Sequence, residues 1–393
     1  MIIGGGLIGC ATACALARDS RFDRIVVLEK ETEIGVHQSG RNSGVIHSGI
    51  FYSPGSQKAE NCRVGRAKLI NFCEEEGIDY DLCGKVIVAT RESEIPILHE
   101  IHERGISNGV ENHLLSAAQL REREPYATGL KALFVPSAGI VDFRSVCRRL
   151  AERVEDAGHD VIRGAEVQQI NEGPEAISVE TTDTRIIARI AVNCSGLHTD
   201  RIARLAGQYV DFQIIPFRGV YYELIPEARK YCRNLIYPVP DPAFPFLGIH
   251  FTRTLSGRIE CGPNAVLAAG REAYELRNTS WSDMREILGF PGFRKLARKH
   301  WRKGLLEMIR TISTREFVRA LQHLIPVVQQ KHVFRTRSGI RAQAVDSDGN
   351  LIEDFLIKES ERMISVCNAP SPAATACLRI GEKIAERVRR RIG

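Results

Sequence analysis

A glycine-rich turn at the start of the chain constrains its fold more than any other feature. Gly4, Gly6 and Gly9 form the pattern G-x-G-x-x-G between a short apolar strand and a helix of small residues. A second apolar strand follows and ends in Glu29, twenty residues beyond the last glycine. Glycines at this spacing let backbone N–H groups approach a pyrophosphate at the helix N-terminus, and the carboxylate accepts hydrogen bonds from ribose hydroxyls. The pattern predicts a dinucleotide-binding α/β fold; the alternative is a chance glycine-rich turn.

The first strand is short for its expected place in the sheet. Only residues 1–3 precede the first glycine, whereas strands usually span about five or six residues, and this one should be central to a parallel sheet. We expect either a start displaced by a few codons or a first strand reduced to a stub. A stub would weaken both the sheet and the retention of the cofactor.

Length and composition narrow the class of protein. The 393 residues predict two or three domains, and 44% hydrophobic with 26% charged residues is typical of soluble globular chains. A disordered, collagenous or coiled-coil protein is excluded, and no apolar stretch approaches the roughly 18 residues of a membrane-spanning helix. The opening lacks a secretory signal, so a cytoplasmic protein is expected. Eleven cysteines at scattered spacings indicate neither disulfides nor a structural metal site, and no metal is predicted.

The positive charge of the chain is concentrated in one segment. The formal net charge of +6 is too small to argue for nucleic acid, and no nucleic-acid partner is expected. Residues 283–319 contain ten lysines and arginines against four acids, with apolar residues interleaved. Basic amphipathic helices of this kind can rest on an anionic surface, here the inner face of the cell membrane. The alternative, and the more common outcome, is a solvated helix face packed on its own domain.

Two further segments favour a flavin over a nicotinamide cofactor. Residues 37–49 are dense in small and hydrogen-bonding side chains and could follow a long cofactor, with Ser39, Arg41 and Ser43 near its phosphates. Residues 368–375 form a turn before the last helix, whose N-terminus carries about half a positive charge and could face the pyrimidine end of an isoalloxazine ring. The alternatives are an ordinary polar loop and a simple helix cap.

Motifs along nearly the whole chain resemble those of one family of flavoenzymes. They are IIGGGLIG (2–9), RNSGVIHSGIFY (41–52), LREREP (120–125), PFRG (216–219), YPVPDPAFPFLGIHFT (237–252), GPNAVLA (262–268), GIRAQAVD (339–346) and NAPSPAAT (368–375). Together they are similar to the L-2-hydroxyglutarate oxidase/dehydrogenase family, within the FAD-dependent superfamily that includes D-amino-acid oxidase. The chain departs from the family pattern in its short first strand and at Arg379, where a small or apolar residue is expected.

The resemblance implies oxidation of L-2-hydroxyglutarate to 2-oxoglutarate, with FAD taking the hydride and electrons passing to oxygen or to the quinone pool of a membrane. The fold we expect is α/β, with a discontinuous Rossmann-like FAD-binding domain made of residues 1–83, 141–212 and 336–393. Residues 84–140 and 213–335 are expected to build a substrate domain on a mixed, largely antiparallel sheet. The flavin should lie between the two domains.

The residues expected at FAD lie in the matched motifs and near the strand ends of the first domain. They are Gly4, Gly6, Gly9, Glu29, Lys30, Ser39, Arg41, Asn42, Ser43, His47, Val167, Ser195, Gly196, Arg341, Ser371, Ala373, Ala374 and Thr375. His47 and Arg341 are also candidates for contact with the substrate.

Two histidines in the matched motifs, His250 and His47, are candidates for the general base. The unperturbed pKa of histidine lies near neutrality, which suits removal of a hydroxyl proton. If residues 246–253 are extended, His250 shares a face with Gly248, and Arg253 points to the other side. We expect His250 to be the base, with His47 as the alternative base, a flavin contact or a covalent attachment site. A histidine that only satisfies a core hydrogen bond is the common alternative.

Arginines are expected to bind the two carboxylates of a small dicarboxylate substrate, because a guanidinium matches their planar geometry. Arg218 and Arg341 are flanked by glycine and apolar residues rather than acids, so an anionic substrate is a suitable partner. Ion pairs with acids elsewhere in the fold are the alternative. Tyr237 and Asn264 are further candidates for polar contacts with the substrate, and Arg41 is assigned to FAD.

Two other functions remain open on the sequence alone. A related FAD-dependent oxidase or dehydrogenase acting on another small acid or amine, such as an amino acid or glycerol 3-phosphate, would share the cofactor fold. A flavin-binding protein without turnover is the other alternative. Assays with alternative substrates separate the first of these, and the presence of bound flavin without its reduction indicates the second.

Overall fold

The computed structural model of the protein describes residues 1–241 and 248–392. Within them the helices are α1 (Leu7–Ala17), α2 (Gln57–Glu76), α3 (Ile95–Ser107), α4 (Ala117–Arg123), α5 (Phe143–Asp156), α6 (Thr199–Leu205), α7 (Trp281–Gly289), α8 (Pro291–Ile312), α9 (Thr314–Gln322) and α10 (Cys377–Ile392). The strands are β1 (Ile2–Ile3), β2 (Val26–Leu28), β3 (Val45–Ile46), β4 (Tyr80–Asp81), β5 (Lys85–Ala89), β6 (His113–Ser116), β7 (Lys131–Val135), β8 (Gly139–Val141), β9 (Asp160–Ile162), β10 (Val167–Glu172), β11 (Ile177–Thr181), β12 (Arg185–Ala188), β13 (Ala191–Asn193), β14 (Phe212–Leu224), β15 (Leu235–Pro238), β16 (His250–Arg253), β17 (Ile259–Gly262), β18 (Val266–Leu267), β19 (Val333–Asp346), β20 (Leu356–Glu359) and β21 (Met363–Asn368). This is the α/β composition predicted from the sequence.

The first sheet has the strand order β20-β21-β13-β1-β2-β9 and is parallel except for β20. Its central strand, β1, consists only of Ile2 and Ile3, both of which are buried. Ile2 pairs with Val192 on one side and with Val27 on the other. The stub strand is therefore present, and the order strand, glycine turn, helix, strand is confirmed.

The helix after the glycine turn packs closely because its side chains are small. α1 lies against α5 and α10. At Gly381 of α10 an added Cβ would lie 2.6 Å from the carbonyl carbon of Ala11 in α1, so the helices can approach this closely only with glycine there. Arg379, the residue at odds with the family pattern, is directed away from this contact and pairs with Glu60 at 3.8 Å and Glu382 at 3.5 Å. Its charge is therefore accommodated at the partly exposed side of α10.

The second sheet has the strand order β18-β14-β17-β16-β15-β5-β7-β6, and β19 pairs with β14. Its neighbours are antiparallel except for β15 with β5. This is the mixed, largely antiparallel sheet that the sequence predicts. One face is covered by an apolar core that includes Phe251, Tyr222 and, from α9, Phe317. The other face carries His250 and Lys85.

Strand β19 affects where the last segment of the expected FAD-binding domain begins. It pairs with β14 from Val333 to Asp346, so residues 336–346 are hydrogen-bonded into the second sheet rather than the first. The sequence assigns these residues to the FAD-binding domain, and their pairing in the second sheet differs from that expectation. We propose that the last segment of the FAD-binding domain begins after Asp346.

Two smaller sheets complete the fold. β10, β11 and β12 form an antiparallel sheet, and β3, β8 and β4 form another. β3 ends at Ile46, so His47 follows it directly. In the part of the chain that the structure describes, no helix is long and apolar enough to span a membrane. All eleven cysteines are free thiols, and most of them are buried.

Candidate active site

The second sheet carries a row of polar and aromatic side chains on one face. Directly paired residues point to the same side of a sheet, and successive residues of a strand alternate. His250 of β16 pairs with Gly262 of β17, and Tyr237 of β15 lies opposite His250. Lys85 of β5 is on the same face, because it pairs with Leu235, two residues before Tyr237. Of the segment expected to be extended at 246–253, residues 250–253 form β16, residues 248 and 249 precede it, and residues 246 and 247 lie outside the described residues.

Arg341 reaches the same face from β19. It pairs with Phe217 of β14, and strand alternation places Phe217 and Tyr221 on one side. Tyr221 lies opposite Gly262, which continues the row that contains His250. Arg341 is exposed to solvent, whereas Lys85 is buried. The face therefore holds two cations, one on each flank of His250.

The loop of the first domain packs directly on this face. At Gly339 of β19 an added Cβ would lie 2.3 Å from the backbone oxygen of Arg41, so the loop touches the strand at a residue without a side chain. At Gly219 an added Cβ would lie 2.5 Å from a side-chain atom of Pro263. The predicted cofactor loop and the second sheet therefore meet at the candidate site.

His250 is buried and held in one tautomer. Its Nδ1 lies 2.8 Å from the carbonyl oxygen of Gly248. A carbonyl can only accept, so Nδ1 carries the proton and Nε2 is the acceptor. Burial and, to a smaller extent, the charges of Lys85 and Arg341 lower the pKa of His250 to about 4. His250 is therefore a neutral imidazole with an unprotonated Nε2, and its role as the base stays a prediction.

Lys85 is a functional candidate that sequence reasoning missed. It opens the strand Lys-Val-Ile-Val-Ala, and its side chain is only 1% exposed. Its Nζ lies 4.4 Å from the ring centroid of Tyr237 and 5.5 Å from that of Phe51. Burial lowers the pKa of Lys85 to about 8. In the sequence, a lysine at the first position of an apolar strand is typical of an exposed strand end. Only the pairing of β5 with β15 reveals that Lys85 is buried.

His47 approaches the same cations from the first domain. Its backbone N–H donates to Thr375 Oγ1 at 3.0 Å, and the Thr375 hydroxyl donates to the carbonyl oxygen of Val45 at 3.4 Å. Burial, and then the charges of the nearby lysine, His250 and arginine, lower the pKa of His47 to about 3. The structure therefore brings both predicted histidines to the same pair of cations, and it ties the 368–375 turn to β3.

Arg218 does not join Arg341 at the site. It pairs with Ile340, the residue before Arg341, so the two arginines point to opposite faces of the sheet. Its Nη1 donates to the carbonyl oxygens of Ala273 at 3.3 Å and Glu275 at 2.9 Å. Its placement argues against the predicted contact of Arg218 with the substrate, because the register between β14 and β19 decides which face each arginine occupies.

Asn264, a predicted contact with substrate, makes two side-chain hydrogen bonds within the fold. It is buried, and its Oδ1 accepts from the backbone N–H of Val220 at 2.9 Å. Its Nδ2 donates to Thr311 Oγ1 of α8. Both ends of the amide are therefore occupied in joining β14 to α8.

Side chains of the first domain bind backbone donors of the glycine turn at the N-terminus of α1. Glu29 Oε2 accepts from the N–H of Gly5 at 2.8 Å, and Ser39 Oγ accepts from the N–H of Leu7 at 3.0 Å. The turn, the acid after β2 and the loop 37–49 thus meet at one point, as the predicted cofactor site requires.

The three glycines of the G-x-G-x-x-G pattern meet different conformational and steric requirements. Gly4 has φ +108°, and a Cβ at Gly9 would lie 2.0 Å from the carbonyl oxygen of Gly4. A Cβ at Gly6 would lie 3.1 Å from Ser39 Oγ, in the space in front of the helix N-terminus. The turn is shaped for the close approach of a ligand to the backbone.

Comparison with known proteins decides the family. The family model described as FAD dependent oxidoreductase (DAO) matches residues 1–387. The chain belongs to this family. It is 44% identical over 389 residues to the L-2-hydroxyglutarate dehydrogenase of Escherichia coli (strain K12), covering 99% of this chain and 92% of that protein. It is 42% identical over 409 residues to the mitochondrial L-2-hydroxyglutarate dehydrogenase of Homo sapiens, covering 100% and 88%. The resemblance stated from the motifs is confirmed.

Solved structures confirm the fold. L-α-glycerophosphate oxidase from Mycoplasma pneumoniae with FAD bound superposes with a TM-score of 0.79 at 21% identity, covering 98% of this chain and 93% of that one. Glycine oxidase from Geobacillus kaustophilus superposes with a TM-score of 0.73 at 19% identity, covering 99% and 94%. At these identities the likeness establishes the architecture of the FAD-dependent oxidoreductases and nothing finer.

FAD is the cofactor of this family, and the residues present fit it. A cavity of about 420 Å³ beside the loop 37–49 is lined by three arginines, Arg41, Arg144 and Arg337, together with Glu31 and Glu33. The Nε of Arg144 is buried and has no hydrogen-bond partner among the described residues. An arginine-lined cavity beside the predicted cofactor loop suits the diphosphate of an extended nucleotide.

Other predicted FAD residues form the loops around the α1 N-terminus. Asn42 Nδ2 donates to the carbonyl oxygen of Ser39 at 2.7 Å, and its Oδ1 accepts from the N–H of Gly44 at 2.8 Å. The Ser195 hydroxyl donates to the asparagine side chain that ends β13 at 2.6 Å, and Gly196 follows with φ +53°. These contacts give the loops a defined shape, and the FAD contacts of these residues stay predictions.

Two basic residues assigned to FAD connect the first domain to the segment around residue 272. Lys30 Nζ lies 2.7 Å from Glu31 Oε1 and 2.6 Å from Glu272 Oε1. The guanidinium of Arg41 lies 4.1 Å from the ring centroid of Tyr274. Both side chains therefore lie where the two parts of the molecule meet, which is where the flavin is expected.

The remaining predicted FAD residues lie in three places. Val167 begins β10 and packs, partly buried, on the apolar cluster that contains Ile3 and Leu28. Ser43 lies in the loop 37–49, and the 368–375 turn contains Ser371, Ala373 and Ala374. Their contacts with FAD stay predictions.

Proposed function

We propose that this protein oxidises L-2-hydroxyglutarate to 2-oxoglutarate. The proposal rests on the state and position of His250. It is a buried neutral imidazole whose Nε2 can accept a proton, and it lies on the sheet face that also holds Lys85 and Arg341. Such a site suits an anionic 2-hydroxy acid better than an amine. The names of relatives that are 42% to 44% identical over nearly the whole chain support the same substrate.

The residues divide the reaction between them. Arg341 binds a carboxylate of the substrate in the planar, bidentate manner that guanidinium groups favour. Nε2 of His250 takes the hydroxyl proton while the C=O bond forms at C2, and the C2 hydrogen leaves with its electron pair. FAD, when bound, takes up that hydride. Nearby positive charge stabilises the oxygen as its proton leaves, and the general base contributes about 10² to 10⁴ in rate.

We assign His47 to the cofactor side of the site. Its backbone is bonded to Thr375 in the turn expected to face the flavin, which supports a contact with FAD. The base and the cofactor contact are thus two different histidines.

An assay of product formation with a soluble artificial electron acceptor tests the proposal. The FAD-loaded enzyme should form 2-oxoglutarate from L-2-hydroxyglutarate and show no turnover with the D isomer. Glycine and glycerol 3-phosphate are the comparison substrates, because they represent the amine and phosphate-ester alternatives. Turnover of either one in preference to L-2-hydroxyglutarate would reject the proposal.

We also propose that α8 docks on an anionic membrane surface. Trp301, Leu305, Met308 and Ile312 are spaced four, three and four residues apart and so share one helix face, and all are more than half exposed. Leu296 and Thr311 are buried on the packed side. An apolar stripe that points away from the protein, flanked by basic residues, is typical of a helix lying in a membrane interface.

The exposed basic residues beside this stripe match an anionic bilayer, which supports a peripheral place on the inner face of the cell membrane. Arg298 and Arg302 flank Trp301 on the exposed side. Co-sedimentation with phosphatidylglycerol-containing vesicles should exceed that with neutral phosphatidylcholine, and Trp301→Ser with Leu305→Ser should abolish it. Trp281→Ser, an exposed tryptophan outside α8, is the control. Binding unchanged by the α8 substitutions would reject this surface.

A membrane position makes the quinone pool our proposed electron acceptor, with oxygen as the alternative. Vesicles that contain a quinone should speed the return of the flavin to its oxidised state, and the α8 substitutions should remove that acceleration. Equal rates with and without quinone, together with oxygen consumption, would favour oxygen.

A further inference from the structure

Lys85 is a buried cation that has no carboxylate partner among the described residues. Among the described residues, the ionisable groups that raise its pKa are the thiols of Cys62 and Cys83, and none of the ion pairs involves Lys85. A buried charge costs free energy unless it is paired, so a lysine in this place needs an anion from outside the fold. The aromatic rings of Tyr237 and Phe51 offer weaker cation–π contact only.

Lys85 and Arg341 lie on opposite flanks of His250. In the second sheet the order is β19, β14, β17, β16, β15, β5, so the strand of His250 lies between the strand of Arg341 and the strand of Lys85. Neighbouring strands are about 4.8 Å apart, and both side chains are long and directed to one face. The charges of both cations lower the pKa of His250 and of His47, so each cation lies near both imidazoles.

We propose that Lys85 binds the carboxylate at C5 of the substrate and thereby makes the enzyme selective for 2-hydroxydicarboxylates. The inference rests on the proposed function, because it assigns the second carboxylate of the same substrate. Arg341 then holds the carboxylate at C1, beside the hydroxyl group that His250 deprotonates. A monocarboxylate of the same length would leave Lys85 buried and without an anion.

The test compares two substrates that differ only at C5. L-2-hydroxyglutarate carries a carboxylate there, and L-2-hydroxyvalerate carries a methyl group. Lys85→Met should lower kcat/KM for the diacid by about 10²-fold or more, as expected for loss of a buried charge-assisted contact. It should leave kcat/KM for the monoacid within about twofold or raise it. Lys85→Arg should restore part of the loss, and Lys295→Met, an exposed lysine of α8 paired with Asp348, is the control.

The shift in Tm caused by a bound 2-oxo acid is a second readout, and it does not depend on turnover. In the wild type, 2-oxoglutarate should raise the Tm of the FAD-loaded enzyme more than 2-oxovalerate does, and Lys85→Met should make the two ligands equal. The ligand-free Tm of Lys85→Met should match or exceed that of the wild type, because an unpaired buried charge has been removed. A lower ligand-free Tm would indicate a lysine that supports the fold and would overturn the proposal.

The possible failures are distinguishable. If the wild type does not oxidise L-2-hydroxyglutarate, the proposed function fails and this inference fails with it. If the wild type does so but Lys85→Met keeps the wild-type preference for the diacid, only this inference fails. An equal loss with both substrates would also overturn it, since Lys85 would then act on the end of the substrate that the two acids share.

Discussion

Tyr237 stacks on His250, with ring centroids 3.9 Å apart and planes inclined by 21°. The contact follows from their direct pairing across β15 and β16 and keeps the imidazole plane fixed. With Nδ1 bonded to Gly248, the imidazole has one orientation and one tautomer. Tyr237 is therefore best described as a positioning residue for the base rather than as the polar contact with substrate expected from the sequence.

Replacement of His250 should stop the chemical step while the cofactor stays bound. His250→Asn removes the proton acceptor, so the rate of flavin reduction by substrate should fall by about 10²- to 10⁴-fold. The measurement is stopped-flow absorbance under anaerobic conditions, and the absorbance of the oxidised flavin should match that of the wild type. His113→Asn, on the surface, is the control. A rate within twofold of wild type would remove His250 from the mechanism.

Substitution of Arg341 should impair substrate binding, whereas substitution of Arg218 should impair stability. Arg341→Met should raise KM by about 10²-fold for mono- and dicarboxylic 2-hydroxy acids alike, because it removes a bidentate contact with C1. Arg218→Met should leave KM near the wild-type value and lower the free energy of unfolding, because it removes buried hydrogen bonds to Ala273 and Glu275. Steady-state kinetics and urea unfolding of both variants check this. A raised KM for Arg218→Met would contradict the assignment of faces.

Stability should fall on the acidic side because of two histidines, the buried His250 and the half-buried His47. The pKa of His250 is about 4 and that of His47 about 3 in the folded state, below the ordinary value of 6.5. The unfolded chain therefore binds more protons below pH 6.5, and each histidine lowers the free energy of unfolding by up to about 1.4 kcal/mol per pH unit. Their contribution is complete above pH 6.5 and is lost as the pH falls through their folded pKa values.

Urea unfolding at several pH values between 7.5 and 4.5 measures this slope. The double variant His47→Asn, His250→Asn should show a flatter dependence than the wild type. Identical slopes would mean that neither histidine is held neutral by the fold.

Glu29 should matter for retention of FAD. Its carboxylate accepts from Gly5 and Glu31 in the turn, and ribose hydroxyls are expected to use the same oxygens. Glu29→Gln should weaken FAD binding by about 10-fold, the effect of converting a charge-assisted hydrogen bond to a neutral one. Fluorescence titration of the FAD-free protein with FAD measures the Kd, with exposed Glu175→Gln as control. An unchanged Kd would place the ribose elsewhere.

The sequence was most informative where a local pattern determines the geometry. Three glycines and an acid at fixed spacing determine a turn, so the cofactor end of the first sheet followed from residues close together in the chain. Alternation along one strand was enough to separate His250 from Arg253, which the structure directs to Asp81 at the sheet edge.

The register between strands that are far apart in the chain could not be predicted from the local pattern of residues within each strand. Arg218 and Arg341 are 123 positions apart, and their faces depend on the pairing of β14 with β19. The burial of Lys85 likewise depends on a parallel pair of strands some 150 residues apart in the chain. Motif matching found the segments that carry the chemistry, and only the fold decided which side chains in them face one another.

The most direct test of the account is anaerobic mixing of the FAD-loaded protein with L-2-hydroxyglutarate, with the D isomer in parallel, while the absorbance of oxidised flavin is followed. We expect rapid bleaching with the L isomer alone. Bound flavin that is bleached by neither isomer, or equally by both, would contradict a site in which His250 lies between two carboxylate-binding cations.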